Sequence, residues 1–441
     1  MLDSSHRKRV LILGGGFAGF YTALDLDRRL AWDRSFEVVL VNEDNFFLFT
    51  PMLHEVAASD LDPTHIVNPL RKMLRNTTFY EATATAIDLE KRRVTVCNGP
   101  TRRERELEYD YLVLALGSET NFFDLEGLAE HAVTMKTLTD AMFLRNRILA
   151  VLESASLEVD EARRKKLLSF VVAGGGFAGV ETIGAVNDFV RGSLRFYPLL
   201  KESEVRLALV HPQAVILPEL GEELGRYAQQ KLSERNIEIL VNTRVSSFAN
   251  ECVVLGDGRR IDAHTLIWTA GVTPSRVLGP LPCAKEKGRV VVNGCFEVDG
   301  FPNVWALGDC AWLIDPDTGK PYPPTAQHAM RQGKVAAANI YAAVTGSGEK
   351  RVFSYKMLGM LAAIGQRTGV ANILGMNFSG FFAWWLWRTV YLSKLPGLEK
   401  KFRVVIDWTL DLFFQQDIVQ FITARGVEQL TRRLAAMQKL K

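Results

Sequence analysis

The hexapeptide Gly-Gly-Gly-Phe-Ala-Gly occurs twice, at residues 14–19 and 174–179, and each copy satisfies the G-x-G-x-x-G spacing. Residues 9–13 before the first copy and 168–173 before the second are short apolar runs that read as buried parallel strands. A helical pattern follows each. In such a strand, loop and helix the first glycine permits the tight turn, the second lets the backbone approach a pyrophosphate, and the third lets helix and strand pack closely. The pyrophosphate then rests on the positive end of the helix. A lone match would be a glycine-rich turn and little more. Two copies in full context imply two dinucleotides in one chain, and the economical pair is a resident flavin with a visiting nicotinamide.

Ribose recognition needs an acid at the end of the second strand, about 20 residues past the glycines. For the first copy that strand is residues 36–41, followed by Asn42 and Glu43, with Glu43 lying 24 residues past Gly19. Read as structure alone, Glu43 would be a solvated charge at a strand end. For the second copy the strand is 205–210 and the expected acid is His211. This departs from the rule for NADH, and no arginine follows to greet a 2′-phosphate, so the sequence does not settle NADH against NADPH.

Two apolar strands end in glycine, 110–117 at Gly117 and 266–271 at Gly271, and are suited to closing the two nucleotide domains. A third, 304–309, ends in Gly308 and Asp309, where a carboxylate could accept hydrogen bonds from flavin ribityl hydroxyls. The prolines before Thr325 announce a helix from Ala326 to about Val344. Its dipole would favour negative charge at the flavin pyrimidine edge; read otherwise, it is a capped surface helix.

With 441 residues the chain suits two or three domains, and its net charge of +3 gives no global case for nucleic acid. Five scattered cysteines without C-x-x-C spacing or a histidine cluster argue for a reducing compartment and against zinc, iron–sulfur ligation or a dithiol pair, so no metal is expected. No signal peptide fits the start, and the longest apolar stretch, 373–387, is broken by Asn377 and falls short of the roughly 20 residues of a spanning helix.

The paired glycine motifs, Gly308-Asp309, the start Thr325-Ala326-Gln327 and the segment from Phe46 to Ala57 together resemble the type II NADH dehydrogenases, over about residues 8–422. The resemblance implies an α/β protein of glutathione-reductase-like design with two Rossmann-like dinucleotide-binding domains. These would be an FAD domain in two parts (1–120 and 296–375), an NAD(P)H domain (121–295) and an amphipathic helical membrane-binding region (376–441). By that likeness Gly14, Gly15, Gly16, Phe17, Ala18 and Gly19 cradle FAD, Asn42 and Glu43 hold its adenosine ribose, Ala84 offers backbone to the adenine, and Gly308 and Asp309 meet the ribityl chain. Gly174, Gly176, Gly179 and Gly271 would serve NADH. Glu181 matches the family's carboxylate near nicotinamide and flavin, with orientation of the donor or proton relay as its roles; as structure alone it is a first-turn helix acid. The quinone-site motif A-Q-x-A-x-Q is met at Ala326, Gln327 and Ala329, but Arg331 stands in place of the last glutamine and Gln332 follows on a different helical face.

The C-terminal region adds physics of its own. Residues 388–441 hold ten Lys or Arg against five Asp or Glu. Residues 403–422 read as one amphipathic helix, with Asp407, Asp411 and Gln415 on one face and Val405, Trp408, Leu412, Val419 and Ile422 on another. The aromatic run 381–387 and nearby cations suit an anionic lipid surface. The expectation is an enzyme that passes electrons from NADH through FAD to a membrane quinone without pumping protons, cytoplasmic and peripheral on the inner face of the cell membrane, and compatible with a homodimer. Competing readings are a soluble NAD(P)H-dependent reductase of another acceptor, a sulfide:quinone-type enzyme using Cys310, and a redox sensor resembling apoptosis-inducing factor.

Overall fold

The computed structural model describes residues 7–31, 33–99, 103–365 and 367–421. The chain divides into two compact units. The first comprises residues 1–47, 67–119 and 272–357, and the second 48–66, 120–271 and 358–441.

The first unit is built on a five-stranded sheet in the order Val304–Ala306, Tyr111–Leu114, Lys8–Leu13, Phe36–Asn42, Thr78–Glu81, every neighbouring pair parallel. Val10, Leu11, Ile12 and Leu13 are all fully buried, as strands covered on both faces require. The first glycine helix, Phe17–Arg29, lies against the helix Ala326–Thr345, and the approach is close. A side-chain carbon on Gly333 would stand 2.6 Å from the Ala18 carbonyl oxygen. An antiparallel sheet of Thr83–Asp88, Arg93–Asn98 and Arg103–Glu108 completes the unit's larger pieces.

The second unit repeats the plan. Its parallel sheet runs Val133–Thr134, Thr265–Trp268, Ser169–Ala173, Arg206–Val210, Ile237–Leu240. The second glycine helix, Phe177–Ser193, packs on the short helix Leu53–Ala57 and on the antiparallel strand Gly359–Ala363. The tryptophan helix Gly380–Lys394 and the terminal helix Leu398–Leu410 belong to the same unit.

The compact units divide the chain differently from the sequence reading, placing residues 48–66 and 358–441 in the second unit and 272–295 in the first, for reasons of strand pairing and packing. Residues 272–295 fall in the first unit because Lys285–Glu286 and Arg289–Val291 form one sheet with Ala311–Trp312. Residues 358–375 fall in the second because their sheet packs on the tryptophan helix, where a carbon on Gly369 would meet Trp384 backbone at 2.7 Å.

The expected helix over 403–422 is also shorter than its pattern. It ends at Leu410, a turn follows, and Ile422 lies outside the described residues. Its inward side carries Val404 and Trp408, both buried, together with an acid. Asp407 points inward to His65 Nδ1 at 2.5 Å, while Phe402 (69%), Ile406 (55%) and Phe413 just beyond it (77%) are exposed. Among the described residues no helix is long and apolar enough to cross a membrane.

Candidate functional site

In each unit the glycine loop adopts one geometry. Gly14 turns at φ 98° and Gly174 at φ 113°, the left-handed region that a side chain would strain. Gly14 N–H donates to Val41 O at 2.8 Å, and Gly174 N–H to Val210 O at 2.9 Å. A side-chain carbon on Gly19 would stand 1.8 Å from Gly14 O, and one on Gly179 would stand 1.8 Å from Gly174 O. The third glycine therefore exists to let the helix touch its own loop. The middle positions are different: a carbon on Gly16 or Gly176 would meet nothing within 4 Å. Both helices also start without a side-chain cap. Open space over a helix N-terminus is the cradle a pyrophosphate needs.

The polar neighbours of the first loop fit an FAD. Asn42 Oδ1 accepts Gly15 N–H at 2.7 Å, and Asn42 Nδ2 donates to Asp44 O at 2.8 Å, which fixes the turn after the second strand. Glu43 is exposed and lines a cleft of about 780 Å³ with Arg71, Phe79, Ala82 and Thr83. Ala84 itself has a buried side chain between Thr83 and Thr85, both of which line that cleft. Phe17 and Phe20 pack on Phe47, edge-on at 5.0 Å and stacked at 4.5 Å. Asp309 accepts from Ser118 Oγ at 2.8 Å. Gly308, at φ 70°, would bring a side-chain carbon to 3.0 Å of Ala18 Cβ, so the strand end abuts the glycine helix.

Thr325 caps the helix Ala326–Thr345, its side chain accepting from His328 N–H. Gln327 Oε1 accepts from the Tyr355 hydroxyl at 3.2 Å, and the Arg331 guanidinium lies 4.0 Å over the Tyr355 ring while donating to Gln327 O at 3.0 Å. Gln332, the glutamine displaced by one place, is buried and accepts Gly308 N–H at 2.8 Å. It latches the Asp309 turn and takes no part beside Gln327. Tyr355 was invisible in the sequence because nothing local ties it to a residue 28 positions earlier. Cys310 is fully buried, its thiol donating to Leu114 O and Leu307 O, and burial pushes it up to about 11.

In the second unit His211 takes the station of Asn42, its Nδ1 accepting Gly175 N–H at 3.0 Å. The ring proton is therefore on Nε2, and burial holds the imidazole below its ordinary value. Gly271 is a packing glycine: a carbon there would stand 2.5 Å from the Phe123 ring, and its carbonyl accepts Asn121 N–H at 3.1 Å.

Glu181 is 8% exposed, and its Oε1 accepts from Trp387 Nε1 at 2.8 Å and from Ala363 N–H at 3.2 Å. Burial pushes this carboxyl up to about 8 against both hydrogen bonds. Beside it lies a cavity of about 170 Å³ that also collects Glu55, Asp60, Arg388 and Asp411. Burial raises Glu55 to about 7 in spite of Arg388 at 3.7 Å, raises Asp411 to about 6, and drives the His54 imidazole down to about 3. Glu55 lies within the segment Phe46 to Ala57 and Asp411 on the acidic face of the C-terminal helix, but nothing local in either marks it as part of a shared cavity. Among the described residues no cluster suited to a metal ion occurs.

Comparison with known proteins agrees with this geometry. Residues 8–333 match the pyridine nucleotide-disulphide oxidoreductase family profile, and residues 357–417 match the NDH2 C-terminal domain. The type II NADH:quinone oxidoreductase of Mycobacterium tuberculosis is 30% identical over 419 residues, 92% of this chain and 88% of that protein. The type II NADH:quinone oxidoreductase of Staphylococcus epidermidis is 28% identical, covering 90% of this chain and 98% of its own. Among solved structures, Plasmodium falciparum NDH2 in complex with NADH superposes with a TM-score of 0.87 at 20% identity, over 94% of this chain and all of that one.

Proposed function

The chain belongs to the type II NADH:quinone oxidoreductases, and on that footing we propose that it oxidises NADH and reduces a quinone through FAD without pumping protons, with the residues of its two glycine cradles in the roles below. When bound, FAD supplies a carrier that takes hydride from the nicotinamide and returns two electrons to the acceptor. Gly16 and the N-terminus of Phe17–Arg29 bind the FAD pyrophosphate, Asn42 and Glu43 its adenosine ribose, and Asp309 its ribityl hydroxyls. The positive end of the Thr325-capped helix favours negative charge close to Gln327. Gly176 and the N-terminus of Phe177–Ser193 bind the NADH pyrophosphate. Glu181, poised near neutrality, takes up or gives a proton at its carboxyl as the acceptor is reduced. The observation that carries the reading is the pair of cradles left open at Gly16 and Gly176 and closed at the other glycines of each loop.

The quinone arrives from a membrane. The outward Phe381, Phe382, Trp385, Phe402 and Phe413 are a concentration of exposed aromatic residues that a protein held only by water would bury. On this reading the chain rests on the inner face of the cell membrane by its C-terminal region. Anaerobic mixing with NADH should bleach the flavin within the time of turnover, and a ubiquinone or menaquinone analogue should restore its colour. Slow bleaching with no restoration by quinone would favour a redox sensor. Pelleting with anionic liposomes, lost on removal of residues 376–441, tests the membrane part.

A further inference from the structure

Trp387 is fully buried in the tryptophan helix, a segment whose exposed residues Phe381, Phe382 and Trp385 are already accounted for by a lipid surface. Its indole N–H is turned the other way, to Glu181 Oε1 at 2.8 Å. Its ring stands edge-on to His54 at 5.3 Å and against Tyr391 at 4.8 Å. The next residue, Arg388, lies between Trp384 at 4.3 Å and Trp408 at 4.5 Å and reaches Glu55 at 3.7 Å. Trp408, in turn, donates to Glu55 Oε2 at 3.1 Å. The inward side of the C-terminal helices thus ends on the two most buried carboxyls of the cavity.

We propose that Trp387 is a positioning residue for Glu181, fixing which carboxyl oxygen carries the proton and so making the C-terminal helix part of the proton handling of the reaction. The inference rests on the reading of Glu181 as the proton-exchanging group. Oε1 already accepts from Trp387 and Ala363, so the proton of the neutral acid resides on Oε2, the oxygen 3.7 Å from His54 Nδ1. Without the indole only the longer Ala363 bond, at 3.2 Å, would hold Oε1, and the carboxyl would turn more readily to present either oxygen. The indole also favours the ionised form, since a hydrogen bond to a carboxylate is stronger than one to the acid. Other groups bear on the same site. From its own helix comes Asp188, paired with Arg235; from Leu53–Ala57 come His54 and Glu55; from the tryptophan helix come Arg388 and Tyr391; Asp60, Arg367 and Asp411 complete the lining. None of these donates to Oε1.

The test uses the full-length FAD-loaded protein. Trp387→Phe keeps a ring in place and removes the N–H. The infrared band of the protonated Glu181 carboxyl, assigned by its loss in Glu181→Gln, is followed against pH in both backgrounds. The midpoint is expected to move upward by about one pH unit in W387F, with the alkaline limb of kcat moving alongside and the KM for NADH unchanged. An unmoved midpoint overturns the proposal. If W387F does not retain FAD, the wild type decides through the ultraviolet resonance Raman marker of indole hydrogen bonding. That marker must strengthen with the same midpoint at which the carboxyl band disappears, and a marker that ignores it overturns the proposal. Failure of the underlying reading looks different: Glu181→Gln would then leave turnover and its pH profile intact, while the band titration still decides the Trp387 contact.

Discussion

His211 accepts the Gly175 amide at 3.0 Å, the place in its loop that Asn42 holds beside Gly15 in the other. A neutral imidazole with its remaining N–H buried offers no positive charge, and the charge that acts on it is the Glu219 carboxylate. His211 itself gives a 2′-phosphate no charge compensation. NADH is therefore expected to exceed NADPH in kcat/KM by tenfold or more, on the order of 1.4 kcal/mol. His211→Arg should narrow that ratio, and steady-state kinetics with both coenzymes will show it; equal use by the wild type would contradict the assignment.

The paired third glycines separate the two coenzymes. Gly19→Ala and Gly179→Ala each force a carbon to within 1.8 Å of a carbonyl oxygen, which must open the contact between helix and loop. The first should yield protein with little or no FAD. The second should yield yellow protein whose flavin is reduced by NADH at least a hundredfold more slowly but still by dithionite. The flavin content of purified protein and stopped-flow reduction check both. Gly16→Ala, where space is open, should fold normally and lose FAD affinity alone.

These two predictions draw on what was legible in the chain, and the limits of that legibility are physical. Strand, loop and helix around each hexapeptide are local, and so is the Thr325 cap, so all were readable. The compact units part from the sequence's division where a strand pairs with a later segment, as with residues 285–291 beside Ala311–Trp312. Gln332 looked like a displaced motif residue, but its role is set by Gly308, 24 positions away. The acids on the terminal helix looked like its solvated face. Only tertiary structure shows that Asp407 meets His65 and Asp411 enters a cavity with Glu55, leaving phenylalanines outside.

That cavity should cost stability as pH rises. A carboxyl whose folded value is raised stabilises the fold fully below its unfolded value, and that stability is lost as pH rises through the folded one. For Glu181 the window runs from about 4.5 to about 8. Glu181→Gln keeps an oxygen for Trp387 and Ala363 without the charge. It should melt close to the wild type near pH 4.5 and above it by pH 8, the gain reaching a few kcal/mol. Thermal melts across that range decide it. On the acid side His54, driven to about 3, should remove stability as pH falls below its ordinary value of 6.5.

Cys310 sits beside Asp309 but is no nucleophile. Full burial and a value near 11 leave it a thiol at neutral pH, its one proton shared between the Leu114 and Leu307 carbonyls. Cys310→Ser should change NADH-driven quinone reduction by less than about threefold, and sulfide should not reduce the flavin of the wild type. Flavin reduction under sulfide would overturn this.

The departure from the quinone-site motif at Arg331 has a structural replacement. Arg331 lies 4.0 Å over Tyr355, and the Tyr355 hydroxyl holds the Gln327 amide oxygen at 3.2 Å, so ring and cation together fix the Gln327 side chain. Tyr355→Phe removes one hydrogen bond, worth about 1 kcal/mol, and keeps the stacked ring. It should slow reoxidation by quinone about fivefold while flavin reduction by NADH keeps its rate. Arg331→Gln restores the motif as written but strips the cation from Tyr355. If the pair works as a unit, this variant should also slow the quinone half-reaction, and the double variant should cost no more than the worse of the two. Additive losses, or an Arg331→Gln enzyme faster than the wild type, would show that the motif glutamine is sufficient and that Tyr355 acts alone.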